Sequence, residues 1–253
     1  MLESYIHDRR KEKEILLMTH IVMGYPSFEA SMEIVAAMVD AGVDLMELQI
    51  PFSEPIADGP VILAANQQAL ERGATVDRCM AFAREAAARF EIPFLFMTYY
   101  NILYRFGVEA FTQAMAEHRI RGAIVPDLPP EEGGEYMADM AARQLDPIYI
   151  YAPTTPEARM KRIADVGRGF IYCVARKGVT GAETDFSSEL TDYLDRCRRA
   201  TRLPLAVGFG VKRREDVDFL KGKADIAVVG SQTIRLMDRE GPGAVGDFVR
   251  SLR

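Results

Sequence analysis

The strongest constraint on the fold of this chain is alternation: short apolar runs of strand length are separated repeatedly by longer stretches with helical spacing. Candidate strands fall at 15–23, 45–50, 93–97, 122–125, 147–151, 170–174, 204–207 and 224–229. Helical periodicity marks 28–41, 61–72, 76–90, 108–118, 131–144, 156–166, 188–199, 215–220 and 244–252. Near-continuous apolar runs suit strands covered on both faces, and helical crossovers between them make a parallel sheet. Eight such β/α units in 253 residues predict an α/β protein, a single-domain (β/α)8 TIM barrel over residues 1–253, with an extra helical segment after strand 2. An open doubly wound sheet is the alternative. No linker, low-complexity segment or composition shift divides the chain. Local punctuation agrees, with Ser27 placed to cap a helix, Gly42 to end it, and Gly73 to break the two helical stretches after the second strand. The opening MLESYIHDRRKEKE reads as an N-terminal polar leader.

Charge and cysteine usage exclude several function classes. A net charge of -6 without a dense Lys/Arg run argues against nucleic-acid binding. The basic segments 196–202 and 212–214 read as solvated helix faces. Cys79, Cys173 and Cys197 are odd in number and show no CxxC spacing, which points to a reduced, cytoplasmic chain without disulfides or a zinc site. The leader lacks the apolar core of a signal peptide, and no apolar run approaches the roughly 20 residues that span a bilayer. No membrane partner is expected.

The second strand and its loop, Leu45 to Pro60, carry the most chemical information. Pro51 stops the strand, because proline has no ladder donor. With a period of two, Leu45, Glu47 and Gln49 share one face. A carboxylate on a buried strand is costly unless paired or used, so Glu47 is a candidate catalytic group. Asp58 follows in a loop rich in proline; beside Gly59 it could equally shape a turn, as could Asp127 between prolines. One of two carboxylates at a barrel mouth can act as general acid/base while the other stays ionised beside developing positive charge.

The strand ends supply a second pattern. Glycine-rich turns follow strands 6, 7 and 8, as Gly178 to Gly181, Gly208-Phe209-Gly210 and Gly230-Ser231. Each alone fits an ordinary turn. Together, on adjacent strands, they let backbone N–H groups approach an anion, and barrels often bind phosphate after strands 7 and 8. Lys177 lies in a loop rather than a buried strand, which argues against a Schiff base. No Rossmann fingerprint, P-loop, nucleophile elbow or metal-ligand spacing occurs.

Along essentially its whole length the chain resembles the tryptophan synthase alpha subunit family. The resemblance rests on Pro51-Phe52-Ser53 through Asp58-Gly59-Pro60, Met97-Thr98-Tyr99 with Asn101, and Val125-Pro126-Asp127-Leu128-Pro129. Gly178-Val179-Thr180-Gly181, Gly208-Phe209-Gly210 and Val229-Gly230-Ser231 extend it. It implies a lyase without cofactor that cleaves indole-3-glycerol phosphate to indole and glyceraldehyde 3-phosphate by a retro-aldol reaction. By position, Glu47 would be the general acid/base and Asp58 would hydrogen-bond the indole N–H. Thr180 would meet Asp58 on closure of the strand 6 loop. Tyr172, Met97 and Phe209 would line the indole pocket, and Gly181, Gly210, Gly230 and Ser231 would hold the phosphate. A PLP-dependent tryptophan synthase beta subunit in an alpha2beta2 heterotetramer is the implied partner.

The chain departs from the usual pattern of that family at several positions. Gln49 stands for glycine, His20 for phenylalanine, Val22 for threonine, Tyr25 and Glu54 for aspartate, and Ala175 for serine. Gln49 is expected to push bulk toward the substrate, and Glu54 lies where the family meets its partner. Two further readings therefore stand beside the lyase. One is a divergent phosphate-binding barrel lyase or isomerase with an altered substrate; the other is a weakly active subunit that modulates a partner.

Overall fold

The computed structural model describes residues 1–174, 188–208 and 210–253. Eight parallel strands close into a barrel in sequence order. They are β1 (Leu16–Val22), β2 (Leu45–Gln49), β3 (Phe94–Met97), β4 (Gly122–Ile124), β5 (Asp146–Tyr151), β6 (Ile171–Val174), β7 (Leu205–Gly208) and β8 (Ile226–Val229). Pairing of β1 with β8, Leu16 opposite Ile226, completes the ring and removes both sheet edges. The predicted strands match these elements closely, because each is an apolar run, buried on both faces except where Ile150, Tyr172 and Val174 border the barrel mouth.

Helices wrap the outside. After α1 (Leu2–Arg10) come α2 (Phe28–Asp40), α3 (Pro60–Glu71), α4 (Val76–Arg89), α5 (Tyr100–Phe106) and α6 (Val108–Glu117). The ring continues with α7 (Gly134–Ala142), α8 (Glu157–Val166), α9 (Ser188–Ala200), α10 (Arg214–Leu220), α11 (Ser231–Glu240) and α12 (Pro242–Ser251). Ser27 does cap α2, its hydroxyl accepting from Ala30 N at 3.1 Å. Gly73 separates α3 from α4 with φ +81°, a conformation L residues rarely adopt. Among the described residues no helix is long and apolar enough to cross a membrane.

Strand alternation divides the apolar residues into two cores. Met46, Leu48 and Ile50 point outward into the layer between sheet and helices. Leu45 points inward with Leu16, Met18, Leu95, Ile124 and Ile148. This inner face is the one that Glu47 and Gln49 share.

The opening segment is a structural element and not merely a polar leader. It forms α1, whose Leu2 and Ile6 are fully buried and join the inner core from below. Charges dominate its composition, but two apolar residues at i and i+4 are enough to close the barrel floor. Its first amide, Leu2 N, donates to the buried Asp146 at 2.8 Å, so a residue 144 positions away supplies the N-terminal cap. Asp44, just before β2, gathers both chain ends. It accepts from Leu17 N at 3.0 Å and pairs with Arg9, Lys13 and Arg253.

Truncating Ile6 should therefore open a cavity in the barrel floor. Ile6→Ala is expected to lower unfolding stability in urea by about 2–4 kcal/mol; an unchanged midpoint would show that α1 does not seal the inner core.

Candidate active site

Inward-pointing side chains near the C-terminal ends of the strands change from apolar to polar. His20 on β1 lies opposite Glu47 on β2, and Val22 opposite Gln49. His20, Glu47 and Gln49 are all buried, as is Asp58 in the loop after β2. Parallel pairing and a period of two thus place four polar groups at one side of the barrel mouth.

These groups form two hydrogen-bonded pairs. His20 Nδ1 lies 2.9 Å from Glu47 Oε2. The carboxylate can only accept when ionised, so the contact fixes Nδ1 as the protonated ring nitrogen. Gln49 Nε2 donates to Asp58 Oδ2 at 2.6 Å and more weakly to Asn66 Oδ1 at 3.4 Å. Asn66, fully buried on α3, also accepts from Phe52 N at 3.0 Å and donates to Ile62 O at 2.8 Å. The loop is thereby tied to the helix that follows it. Phe52 stacks on Tyr99 at 5.2 Å between ring centroids, and Tyr99 accepts from Ala57 N.

Burial and charge act against each other here. Burial opposes charge on His20, but the hydrogen bond and charge of Glu47, with a smaller contribution from Asp58, raise its pKa above the ordinary imidazole value. Burial also raises the pKa of Asp58, while the Gln49 hydrogen bond, His20 and the Tyr99 hydroxyl pull it partly back. Burial pushes the Tyr172 phenol up strongly, reinforced by the charges of Glu47 and Asp58, so it stays neutral.

A cavity of about 920 Å³, counted out to its open mouth, lies between these groups and the ends of β3 to β8. His20, Glu47 and Asp58 form part of its wall. Met97, Ile124, Ile150, Tyr172 and Val228 make it apolar at depth. Gly210, Gly230 and Ser231 lie at the rim, where Ser231 begins α11 and directs a helix N-terminus toward the opening.

Of the residues singled out in the sequence, Glu47, Asp58, Met97, Tyr172, Gly210, Gly230 and Ser231 all line this one cavity. Phe209, Thr180 and Gly181 lie outside the described residues, as does Ala175. Gln49, expected to push bulk toward the substrate, is instead fully buried, bonds Asp58, and is not among the residues that line the cavity. Asp127 does more than shape a turn, because its carboxylate accepts from Tyr100 N at 2.9 Å and caps α5. Lys212, read as a solvated face, lines the cavity together with Arg235 and puts cationic charge near the glycine turns. Gly208 has a role other than anion binding: a Cβ there would collide with the ring and hydroxyl of Tyr172.

Fold and cavity together define the class, a (β/α)8 barrel with a largely apolar cavity at the C-terminal ends of its strands and buried carboxylates in its wall. The family model of the tryptophan synthase alpha chain matches residues 6–247, and the chain belongs to that family. A tryptophan synthase alpha chain from Desulforapulum autotrophicum is 66% identical over 252 residues, covering 100% of both chains. In three dimensions the chain is similar to one from Mycobacterium tuberculosis tryptophan synthase, with a TM-score of 0.93, 30% identity, and 99% and 96% of the two chains covered. A chain of the Pyrococcus furiosus tryptophan synthase complex gives a TM-score of 0.86 at 30% identity, covering 94% of this chain and 97% of that one.

The buried Asp58 has a thermodynamic signature. Its folded-state pKa lies above the ordinary 3.8, so its protonated form favours folding, and that contribution is lost as pH rises from the ordinary value through the folded one. Asp58→Asn should remove this loss. The variant is expected to gain stability relative to the parent as pH rises from about 4 to 7 in denaturant titrations; parallel stability curves would contradict the assignment.

Proposed function

We propose that this chain is the lyase component of tryptophan synthase, cleaving indole-3-glycerol phosphate to indole and glyceraldehyde 3-phosphate. Family membership over nearly the whole length supports the activity. The observation that carries the assignment of roles is the shared cavity, with Glu47 and Asp58 on one wall and Gly210, Gly230 and Ser231 at the rim. A phosphorylated polyol fits the rim, and a flat apolar ring fits the space between Met97, Ile124 and Tyr172.

The chemistry requires one proton to enter and one to leave. Protonation of the indole ring carbon that bears the glycerol side chain gives a cationic indolenine. Removal of the proton from the adjacent side-chain hydroxyl then makes the aldehyde carbonyl as the carbon–carbon bond breaks. The bonding pair returns to the ring and restores neutral indole. Glu47 is assigned both transfers, since a single acid/base group can give the first proton and receive the second. Asp58 is assigned to the ring N–H, where an ionised carboxylate stabilises the cation. Tyr172, Met97 and Phe209 are assigned to the indole ring. Gly181, Gly210, Gly230 and Ser231 are assigned to the phosphate, and Thr180 to the contact with Asp58 on closure.

A PLP-dependent beta-type subunit is the proposed partner, and the likeness to a chain of a tryptophan synthase complex supports it. The loop after β2 offers an apolar contact at Ile56, which is 70% exposed beside the exposed Glu54.

The direct test is indole release from indole-3-glycerol phosphate by the purified chain, alone and with a beta subunit. Glu47→Gln is expected to lower the rate by about 10²- to 10⁴-fold with the fold intact by circular dichroism. Retention of the parent rate would remove Glu47 from the acid/base role.

A further inference from the structure

Each of the two buried carboxylates is held closely by one polar side chain of the barrel strands, Glu47 by His20 on β1 and Asp58 by Gln49 on β2. His20 bonds Glu47 through Oε2 at 2.9 Å, and Gln49 bonds Asp58 through Oδ2 at 2.6 Å. The atoms left over are His20 Nε2, Glu47 Oε1 and Gln49 Oε1, all buried and without a well-formed hydrogen bond. Three orphaned polar atoms within one cluster are unusual, because each lost hydrogen bond in a buried site is costly.

The geometry suggests what they serve. Glu47 is held by one oxygen, and its other oxygen, on a wall of the cavity, has no partner among the described residues. We propose that His20 and Gln49 are positioning residues, each holding one carboxylate by a single oxygen, His20 that of Glu47 and Gln49 that of Asp58, so that Glu47 Oε1 is left to face substrate. This rests on the lyase reading for its kinetic consequence, though not for its structural one.

Among the described residues, the charged groups around His20 are few. Glu47 comes from β2 and Asp58 from the loop after it, both favouring the imidazolium. Tyr172 on β6 faces the same two carboxylates and stays neutral. Lys212 and Arg235 line the cavity toward the glycine turns. The charged form of His20 is therefore held against burial chiefly by Glu47. Loss of its second proton, from Nε2, at alkaline pH would remove the positive charge beside Glu47 while the Nδ1–H donor to Oε2 stays in place.

The test compares the parent chain with His20→Phe and His20→Gln, measuring kcat and KM for indole-3-glycerol phosphate between about pH 5 and 9. His20→Phe is expected to lower kcat by about 10- to 100-fold, as misplacement of an acid/base group does, with KM changed far less. His20→Gln should recover much of kcat at neutral pH, because its amide can still donate to Glu47. Both variants should lack the alkaline limb set by His20. Parent-like kcat and pH profile in His20→Phe would overturn the proposal. So would equal losses in both variants with a parent-shaped profile, which would mark a packing defect.

A second measurement needs no substrate and so separates this proposal from the lyase reading. In urea unfolding at pH 6, a double-mutant cycle of His20→Phe and Glu47→Gln should be non-additive by about threefold or more in the unfolding equilibrium constant. Additive effects would overturn the proposal even in an active lyase, whereas strong coupling in a chain that releases no indole would uphold the pairing and reject the reading.

Discussion

The buried contact between His20 and Glu47 is the interaction on which the upper half of the barrel depends. Two ionisable groups sit on adjacent strands with almost no access to water. Removing either partner leaves the other desolvated and uncompensated, which in buried pairs costs about 3–5 kcal/mol. The pair is therefore weak evidence for stability and strong evidence for a site. Asp58 repeats the logic one step outward, with Gln49 and Asn66 supplying the partners that water would otherwise provide.

Below that layer the same barrel is built for cohesion. Leu16, Met18, Leu45 and Leu95 fill its interior, and α1 closes it from beneath with Leu2 and Ile6. The β2 strand joins the two regimes within a few residues. Asp44 at its start is paired with three cations and holds the chain ends, whereas Glu47 further along has, among the described residues, one imidazole partner and one oxygen without a partner. A carboxylate surrounded by cations is fixed in place. One with an unpartnered oxygen in a cavity wall is available for chemistry, in keeping with the division of barrels into a stabilising floor and a reactive mouth.

Much of this was legible in the sequence because barrel strands are apolar runs and because a period of two fixes which face each residue takes. The shared face of Leu45, Glu47 and Gln49 followed from that period alone. What the period could not give was the identity of each partner. Gln49 looked like an intrusion on the substrate, yet its amide turns to Asp58 and the side chain is fully buried. α5 carries no local capping signal, since Asp127 caps it from a loop 27 residues away. α1 was hidden by its charges, and Lys212 was read as solvated because its approach to the cavity depends on barrel closure. Asn66 on a helix gave no sign that it would anchor the loop before it.

The most direct measurement is an NMR titration of the His20 imidazole nitrogens in 15N-histidine-labelled protein. The expected result is a protonated Nδ1 throughout neutral pH and an apparent pKa above the ordinary 6.5, because Glu47 more than offsets the penalty of burial. The sign is then fixed: stability from this pair is fully present below the ordinary value and is lost as pH rises through the folded one. Glu47→Gln should lower the apparent pKa, since the opposing charge is gone. An imidazole protonated at Nε2 alone would contradict the pairing from which the site is built, and one neutral at pH 6 would contradict the hold of Glu47 on its charge.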